Sequence, residues 1–253
     1  MLRDRGVVKE ILDRIWAAGV RTLLFTVDLP VVGTRYRDVR NGFSGGAGWW
    51  GKLRAGPIDY ALHPGWVWDV GLRGRPHLFG NIAAYVPKAT TPADFAQWVA
   101  GQFDPSVEWH HIEWLRAQWQ GTLVLKGILD AEDARATVAV GADGMVISNH
   151  GGRQLDGVSS SIAALPRIAD TLGGSHPLLV DGGVRCGQDL VKALALGASA
   201  AMIGRPWVYA LAAMGEAGLT RMLRMFAADM RTALGLTGVA RAREITAAVL
   251  DRA

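Results

Sequence analysis

The stretch GMVISNHGGRQLD, residues 144–156, contains a short apolar run that leads directly into polar and glycine residues. The run at 144–148 is continuous rather than alternating, which is typical of a strand covered on both faces of a sheet. His150 follows that strand, and a histidine is a natural general base because its ordinary pKa lies near ~6.5. Gly151 and Gly152 allow the backbone to turn tightly and approach a ligand closely. The stretch therefore predicts a buried strand that ends at a site of chemistry.

Other apolar runs have the same continuous character, and the segments between them have helical patterns. The predicted strands are 22–27, 122–125, 144–148, 177–180 and 200–203. The predicted helices are 7–18, 130–140, 159–172 and 187–196, followed by one or two amphipathic helices at 205–234. The apolar stripe of that last segment comprises Leu219, Met222, Leu223, Phe226 and Met230. Asp130 suits a helix start, Gly141 and Gly197 suit helix ends, and the strand–loop–helix rhythm predicts a parallel sheet, open or closed.

Composition narrows the class of protein. The chain has 253 residues, 50% hydrophobic and 20% charged, which excludes disorder and suffices for a single α/β domain over 1–253. The net charge of +4 is too small to predict a nucleic-acid partner. The single cysteine, Cys186, excludes an internal disulfide. No apolar run reaches the ~20 residues of a membrane span, and residues 1–6 have no signal-peptide core, so we expect a soluble or peripheral cytoplasmic protein.

The alternation of predicted strands and helices is interrupted between Asp28 and Lys126, which lie much further apart in sequence than one crossover helix requires. The stretch at about 40–87 is rich in glycine and tryptophan, and we interpret it as an excursion from the barrel. One hypothesis is that Trp49, Trp50, Lys52, Leu53 and Arg54 dip into a membrane surface, since aromatic and basic residues suit that interface. The alternative is that Trp66 and Trp68 pack over the barrel as a lid.

Polar or glycine residues follow every predicted strand. The carboxyl ends of parallel strands meet at one edge of a sheet, so these residues are expected to form one site. They are Thr26 and Asp28, Lys126, Asn149, His150 and Arg153, Asp181, Gly182, Gly183 and Arg185, and Gly204 and Arg205. After one strand, a solvated loop residue is the better interpretation, but the repetition after five strands favours a shared site.

Charged residues in these loops suit a small anion. Arg153 can make a two-point contact with a carboxylate, and Arg35 can hold its other side, whereas Arg37 and Arg40 are expected to be solvated. Asp28 can orient His150 and stabilise its charged form. The alternative for His150 is a structural histidine in a capped turn.

The last two loops suit a phosphate. Backbone N–H groups at Gly182, Gly183 and Gly204, with the guanidinium groups of Arg185 and Arg205, are the elements of an anion site, and barrel enzymes often bind a cofactor phosphate at these two loops. Lys126 can neutralise an electron-rich ring or pair with a carboxylate; the residues leave both open.

These motifs closely resemble those of the FMN-dependent 2-hydroxy-acid dehydrogenases and oxidases. They are TVDLPVVGTR at 26–35, LKGI at 125–128, SNHGGRQLD at 148–156, DGGVR at 181–185 and GRP at 204–206. The stretch HPGWVWDVGL at 63–72, with 80–82 and 103–106, looks most like the bacterial quinone-linked L-lactate dehydrogenase branch. The resemblance implies an FMN-linked (β/α)8 TIM barrel, of which the chain is expected to supply only the C-terminal five βα units.

The resemblance also implies an activity, the oxidation of a small anionic L-2-hydroxy acid, L-lactate to pyruvate, with electrons passed to a quinone or another acceptor. His150 would be the base and Asp28 its charge partner, while Arg153 and Arg35 would bind the substrate. The residues expected to hold FMN are Thr26, Lys126, Ser148, Asp181, Gly182, Gly183, Arg185, Gly204 and Arg205. The expected partners include a second copy of the chain and the cytoplasmic surface of the inner membrane.

Two other functions compete with this one. The chain could be an N-terminally truncated, non-catalytic remnant or partner subunit that keeps the site residues without a working pocket. A different FMN barrel enzyme, such as an isomerase that shares the phosphate loops, is disfavoured by His150 and Arg153, which such enzymes need not have.

Overall fold

The computed structural model describes residues 1–40, 49–75, 77–88 and 92–251. The chain divides into two compact units, the first made of Arg3–Pro30 and Pro105–Ala253 and the second of Val31–Asp104. The predicted excursion at 40–87 falls within the second unit, whose bounds are wider. The description of 1–253 as a single domain stays a prediction.

The first unit contains a sheet of parallel strands in the order β1-β2-β3-β4-β5. The strands are β1 (Thr22–Thr26), β2 (Thr122–Ile128), β3 (Gly144–Ile147), β4 (Leu178–Val180) and β5 (Ala200–Ala201). All five predicted strands are therefore confirmed. β2 is longer than predicted because Gly127, with φ +111°, shifts the register between Lys126 and Ile128 and keeps the chain in the sheet.

The helices of both units lie before, between and after the strands. They are α1 (Arg5–Ala17), α2 (Tyr36–Arg40), α3 (Trp49–Leu53), α4 (Asp59–Leu62), α5 (Pro64–Trp66), α6 (Pro92–Gln102), α7 (Trp109–Gln118), α8 (Ala131–Ala139), α9 (Ser161–Leu172), α10 (Gly187–Ala195) and α11 (Arg205–Leu236). The Asp130 side chain accepts a hydrogen bond of 2.8 Å from the Glu132 N–H and starts α8, as predicted. Gly141 and Gly197 have positive φ and follow the ends of α8 and α10, also as predicted.

The core lies around the three central strands. Leu125 of β2 and Met145 and Ile147 of β3 are fully buried. Met145 and Ile147 share one hydrophobic cluster with Leu165 and Ile168 of α9. Burial decreases toward the sides of the sheet, where Leu24 of β1 is 40% exposed. In the described part of the chain, β1 and β5 each pair with one other strand. The continuous apolar runs are thus explained by cover on both faces at the centre of the sheet.

The long helix α11 lies in the segment for which one or two amphipathic helices are predicted. It has non-helical backbone at Met214 and at Gly215, which has φ +60° and ψ −145°, so that it consists of two helical parts, in agreement with the prediction. The predicted stripe is wrong at Leu223, which is 51% exposed, while Leu219 and Phe226 are half-buried. The helices α6 and α7 were not predicted.

Much of the described part of the second unit is helical. Short helices alternate with the π-helical segments Arg54–Ile58 and Val67–Leu72. Phe95 of α6 is buried, and its ring meets Phe79 edge-on with the centroids 5.4 Å apart. Trp49 and Trp50 stack on each other with 66% and 65% of their surfaces exposed. Among the described residues, no helix has both the length and the apolar character required to cross a bilayer.

Candidate active site

The turn after β3 places His150 at the carboxyl edge of the sheet. His150 has φ +55°, and among the described residues it is the one non-glycine residue with a left-handed backbone. Such a conformation costs of the order of 1–3 kcal/mol and persists only where the surroundings enforce it. Here the His150 N–H donates to Ser148 Oγ at 3.0 Å, and Asn149 Oδ1 accepts from the Gly151 N–H at 3.0 Å. The turn therefore holds the imidazole in a fixed direction.

The imidazole of His150 faces the carboxylate of Asp28. Nδ1 lies 3.2 Å from Asp28 Oδ1 and 3.3 Å from Oδ2, and the two side chains are 24% and 16% exposed. An ionised carboxylate only accepts hydrogen bonds, so the neutral imidazole tautomer that suits this contact carries its hydrogen on Nδ1 and its lone pair on Nε2. The same arrangement orients the histidine in catalytic triads. The structure thus brings together two residues from distant parts of the chain in the geometry of a base and its partner.

Gly127 makes this arrangement possible, although the sequence motifs assigned it no role. A Cβ at this position would lie 2.7 Å from the Cβ and 2.8 Å from the Cγ of Asp28. The available signal was a glycine inside a strand, which often marks a bulge or a close backbone approach.

Lys126, Ser148 and Asp181 form a second cluster beside the histidine. Lys126 Nζ donates to Ser148 Oγ at 2.7 Å and lies 3.0 Å from Asp181 Oδ2. Of the two alternatives for Lys126, the structure shows the ion pair with a carboxylate. Asp181 Oδ1 is buried and has no hydrogen-bond partner among the described residues. A buried acceptor of this kind is costly to leave unsatisfied, by about 1–3 kcal/mol, and suits a hydroxyl or N–H group of a ligand.

The loop after β4 packs tightly against the loop after β3 and the start of α9. Gly182 has φ +84°, and a Cβ there would lie 2.8 Å from Asn149 Oδ1 and 3.0 Å from Ser161 Oγ. The Ser161 hydroxyl is buried and accepts from the Asn149 N–H at 3.1 Å. No sequence motif indicates a role for Ser161, because that role depends on the start of α9 packing beneath the turn.

The two predicted phosphate loops present basic groups and backbone N–H groups. Arg205 Nη2 donates to the Gly151 carbonyl at 3.3 Å, which links the loop after β5 to the histidine turn. Gly204 precedes α11 and provides no side-chain cap, so the positive end of that helix is available to an anion. Arg185 belongs to the loop after β4 and is exposed.

The remaining predicted site residues are Thr26, Arg153 and Arg35. Thr26 pairs in register with Lys126 at the end of β1, and Arg153 is half-buried directly after the histidine turn. Arg35 belongs to the second unit, where its Nε is buried without a hydrogen-bond partner among the described residues. Arg37 and Arg40 are exposed, as predicted.

The chain aligns over almost its whole length with known proteins. It is 51% identical over 246 residues to an L-lactate dehydrogenase of Bartonella quintana (strain Toulouse), an alignment covering 97% of this chain and 63% of that protein. It is also 51% identical over 250 residues to an L-lactate dehydrogenase of Caulobacter vibrioides (strain NA1000 / CB15N), covering 99% and 64%. The chain thus spans less than two thirds of the length of these relatives.

Solved structures agree with the fold. A crystal structure of the monotopic membrane protein (S)-mandelate dehydrogenase superposes with a TM-score of 0.88 at 35% identity, over 99% of this chain and 65% of that one. A mandelate oxidase superposes with a TM-score of 0.70 at 38% identity, over 94% and 58%. The predicted FMN-linked barrel fold, present here as a partial barrel, is confirmed.

A protein-family model described as FMN-dependent dehydrogenase matches residues 1–252. The resemblance drawn from the strand-end motifs is therefore confirmed over nearly the whole sequence. The chain belongs to the FMN-dependent dehydrogenase family.

Proposed function

We propose that this chain binds FMN and oxidises a small 2-hydroxy acid, L-lactate, to the corresponding 2-oxo acid. The observation that carries the proposal is the contact between His150 and Asp28, next to the cluster of Lys126, Ser148 and Asp181. The choice of L-lactate is supported by relatives at 51% identity that are named L-lactate dehydrogenases.

The strand-end residues fit FMN. The Lys126 ammonium would face the electron-rich edge of the ring, and the buried Asp181 Oδ1 would accept from a hydroxyl of the ribityl chain. Thr26 and Ser148 would complete the contacts to the ring. The phosphate would lie against the residues with N–H groups and guanidinium groups, which are Gly182, Gly183, Arg185, Gly204 and Arg205. FMN, when bound, supplies the two-electron redox chemistry.

His150 would take a proton from the substrate at Nε2. Because Asp28 accepts from Nδ1, it holds the ring in the tautomer that can do so and stabilises the imidazolium that results. A positioned base of this kind contributes about 10²–10⁴-fold to a rate. Overall, the substrate would lose two electrons and two protons, one of them to His150, and a quinone that takes up two electrons and two protons would become a quinol.

Arg153 and Arg35 would bind the carboxylate of the substrate, since a guanidinium matches a carboxylate with two parallel hydrogen bonds. For Arg35, the support is its half-buried side chain with an unsatisfied Nε.

The visible spectrum of the purified chain tests the proposal. We expect a yellow protein that is bleached anaerobically by L-lactate, with D-lactate as the matched control that leaves the colour unchanged. Colourless protein that takes up no FMN would favour the alternative, a non-catalytic remnant or partner subunit. Yellow protein that no 2-hydroxy acid bleaches would contradict the catalytic part of the proposal alone.

The second unit supports contact with a membrane surface. Trp49 and Trp50 expose most of their stacked rings, and (S)-mandelate dehydrogenase, to which the chain is similar, is a monotopic membrane protein. We therefore propose a peripheral location on the cytoplasmic side of the inner membrane, where a quinone would be accessible. The side chains of Lys52 and Arg54 lie outside the described residues, and the lid role of Trp66 and Trp68 and a homo-oligomer stay predictions.

A further inference from the structure

Two carboxylates hold the loop between β4 and α10, and neither belongs to the sequence motifs. Asp229 of α11 accepts from the Gln188 N–H at 3.0 Å and lies 3.4 Å from Gln188 Nε2. Cys186, the cap residue of α10, makes no side-chain cap hydrogen bond, so Asp229 takes that role from the neighbouring helix. Because a carboxylate of the chain already faces the start of α10, an anion at this loop would be bound by Arg185 and the glycine N–H groups rather than by the start of that helix.

Asp189 makes two contacts with Arg185. Its Oδ2 accepts from the Arg185 main-chain N–H at 2.9 Å and lies 3.4 Å from Nε. The Asp189 side chain is only 19% exposed, whereas that of Arg185 is 79% exposed. Among the described residues, neither terminal nitrogen of the guanidinium has a hydrogen-bond partner. The guanidinium is planar, so a contact at Nε sets the direction in which the two terminal nitrogens point.

We infer that Asp189 is a positioning residue for the phosphate of FMN, which acts by holding Arg185 with its terminal nitrogens directed toward the anion. The inference rests on the proposed function, because it takes the anion to be the cofactor's phosphate. It assigns Asp189 no contact with FMN itself.

Two effects of Asp189 oppose each other. Its negative charge repels a phosphate, while its contacts remove the rotational freedom that an exposed arginine otherwise loses on binding. The guanidinium that Asp189 contacts offsets much of its charge, so we expect the orientation of Arg185 to dominate. Substitutions separate the effects, because Asp189→Asn removes the charge and keeps an acceptor, whereas Asp189→Ala removes both.

The experiment compares the affinities of the full chain for FMN and for riboflavin, which lacks the phosphate, by titration of flavin fluorescence. The ratio of the two dissociation constants isolates the phosphate contribution within each variant. We expect Asp189→Ala to lower the FMN preference about tenfold, as for the loss of a charge-assisted contact, and Asp189→Asn to change it less than about threefold. The matched control is Asp229→Asn, which loosens the start of α10 without touching Arg185 and should leave the ratio unchanged.

Several results would overturn the inference. One is an unchanged ratio of the two dissociation constants in Asp189→Ala. Another is a preference for FMN that rises in both Asp189 variants, since that would show that Asp189 acts on the phosphate only by charge repulsion. A fall in the FMN preference of Asp229→Asn as large as that of Asp189→Ala would show that Asp189 has only a structural role. If Asp189→Ala fails to fold, Arg185→Lys provides the test, because lysine keeps the positive charge but has no Nε for Asp189 to hold. An unchanged ratio of the two dissociation constants in Arg185→Lys would contradict the inference. A parent chain that binds riboflavin and FMN equally overturns this inference alone, whereas one that binds neither flavin overturns the proposed function as well.

Discussion

Each unit of the molecule contains a histidine that faces an aspartate, and the two pairs differ in almost every physical respect. His150 and Asp28 come from distant parts of the first unit and are largely buried. His63 and Asp59 are four residues apart in the second unit, and their side chains are 62% and 60% exposed. The His63 ring is also closer to the Asp59 carbonyl, at 2.8 Å, than to the carboxylate, at 3.4 Å.

The difference shows what a catalytic interpretation requires beyond the identity of two residues. The exposed pair forms because adjacent turns of a helix meet, and it is worth little in water. The buried pair exists only because two strands of a parallel sheet end at the same edge and a glycine gives Asp28 room. Strand-end position therefore separates a candidate base from a local contact.

The largest expected effect comes from removing each histidine in turn. We expect His150→Gln to retain flavin and to lose turnover of L-lactate by about 10²–10⁴-fold, because glutamine cannot take the proton. His63→Gln is the matched control and should leave turnover unchanged. Steady-state rates with a dye acceptor measure both, and near-normal turnover in His150→Gln would contradict the assignment of the base.

A smaller effect is expected from crowding Asp28 without changing it. Gly127→Ala places a methyl group against the Asp28 side chain at a backbone conformation with φ +111°, so the carboxylate must move away from His150. We expect turnover to fall by about tenfold to a hundredfold, as misplacement by about 1 Å can do.

The control is Gly65→Ala in the second unit, where a Cβ would meet nothing within 4 Å. Both variants are compared by kcat, with FMN content measured separately. Equal rates for Gly127→Ala and the parent chain would show that the contact between Asp28 and His150 does not matter.

The exposed tryptophans give a test of the second unit that does not involve the chemistry. Replacing both Trp49 and Trp50 by serine should weaken co-sedimentation with anionic lipid vesicles by at least about tenfold, and deletion of 46–58 should abolish it. Tyr209→Ser, which removes an aromatic ring that is 60% exposed in the first unit, is the control. Unchanged sedimentation of the deletion variant would refute the membrane proposal. Residues 46–48 of the deleted segment lie outside the described residues.

The smallest expected effect is a pH dependence at a carboxyl that faces no histidine. Burial, with the neighbouring Asp130 and Glu132, raises the pKa of Asp133 above its ordinary value. The folded chain therefore holds this proton more strongly than the unfolded chain, and the associated stability is lost as pH rises through the raised pKa.

We accordingly expect Asp133→Asn to gain stability relative to the parent as pH increases above about 4, the ordinary range for aspartate. Urea unfolding at a series of pH values measures the difference. A difference between the two proteins that does not vary with pH would contradict the prediction.

Much of the first unit could be predicted because buried strands and helix ends produce recognisable patterns in the local sequence. Runs such as 144–148 are apolar throughout since β3 is covered on both faces, and Asp130 and Gly141 mark the ends of α8. The second unit has no such local pattern, because its short helices expose much of their apolar surface, and α6 was missed there. The helix α7 of the first unit was missed as well.

The candidate site divides in the same way. Residues directly after strands, such as His150 and Lys126, were predictable from position, because parallel strands bring their carboxyl ends together. Ser161 and Asp229 were not, because each acts through packing between elements that the sequence does not order in space. The role of Arg35 stays a prediction for the same reason. Asp189 contacts a residue only four positions away, but an aspartate in the first turn of a helix is common and by itself indicates no site.

The left-handed backbone at His150 has a consequence for engineering the protein. Glycine or asparagine would relax that conformation, so a library selected only for heat tolerance should enrich them at position 150 and accumulate robust but inactive variants. Selection for a more stable variant should therefore keep His150 unchanged and seek stabilising substitutions at the two sides of the sheet.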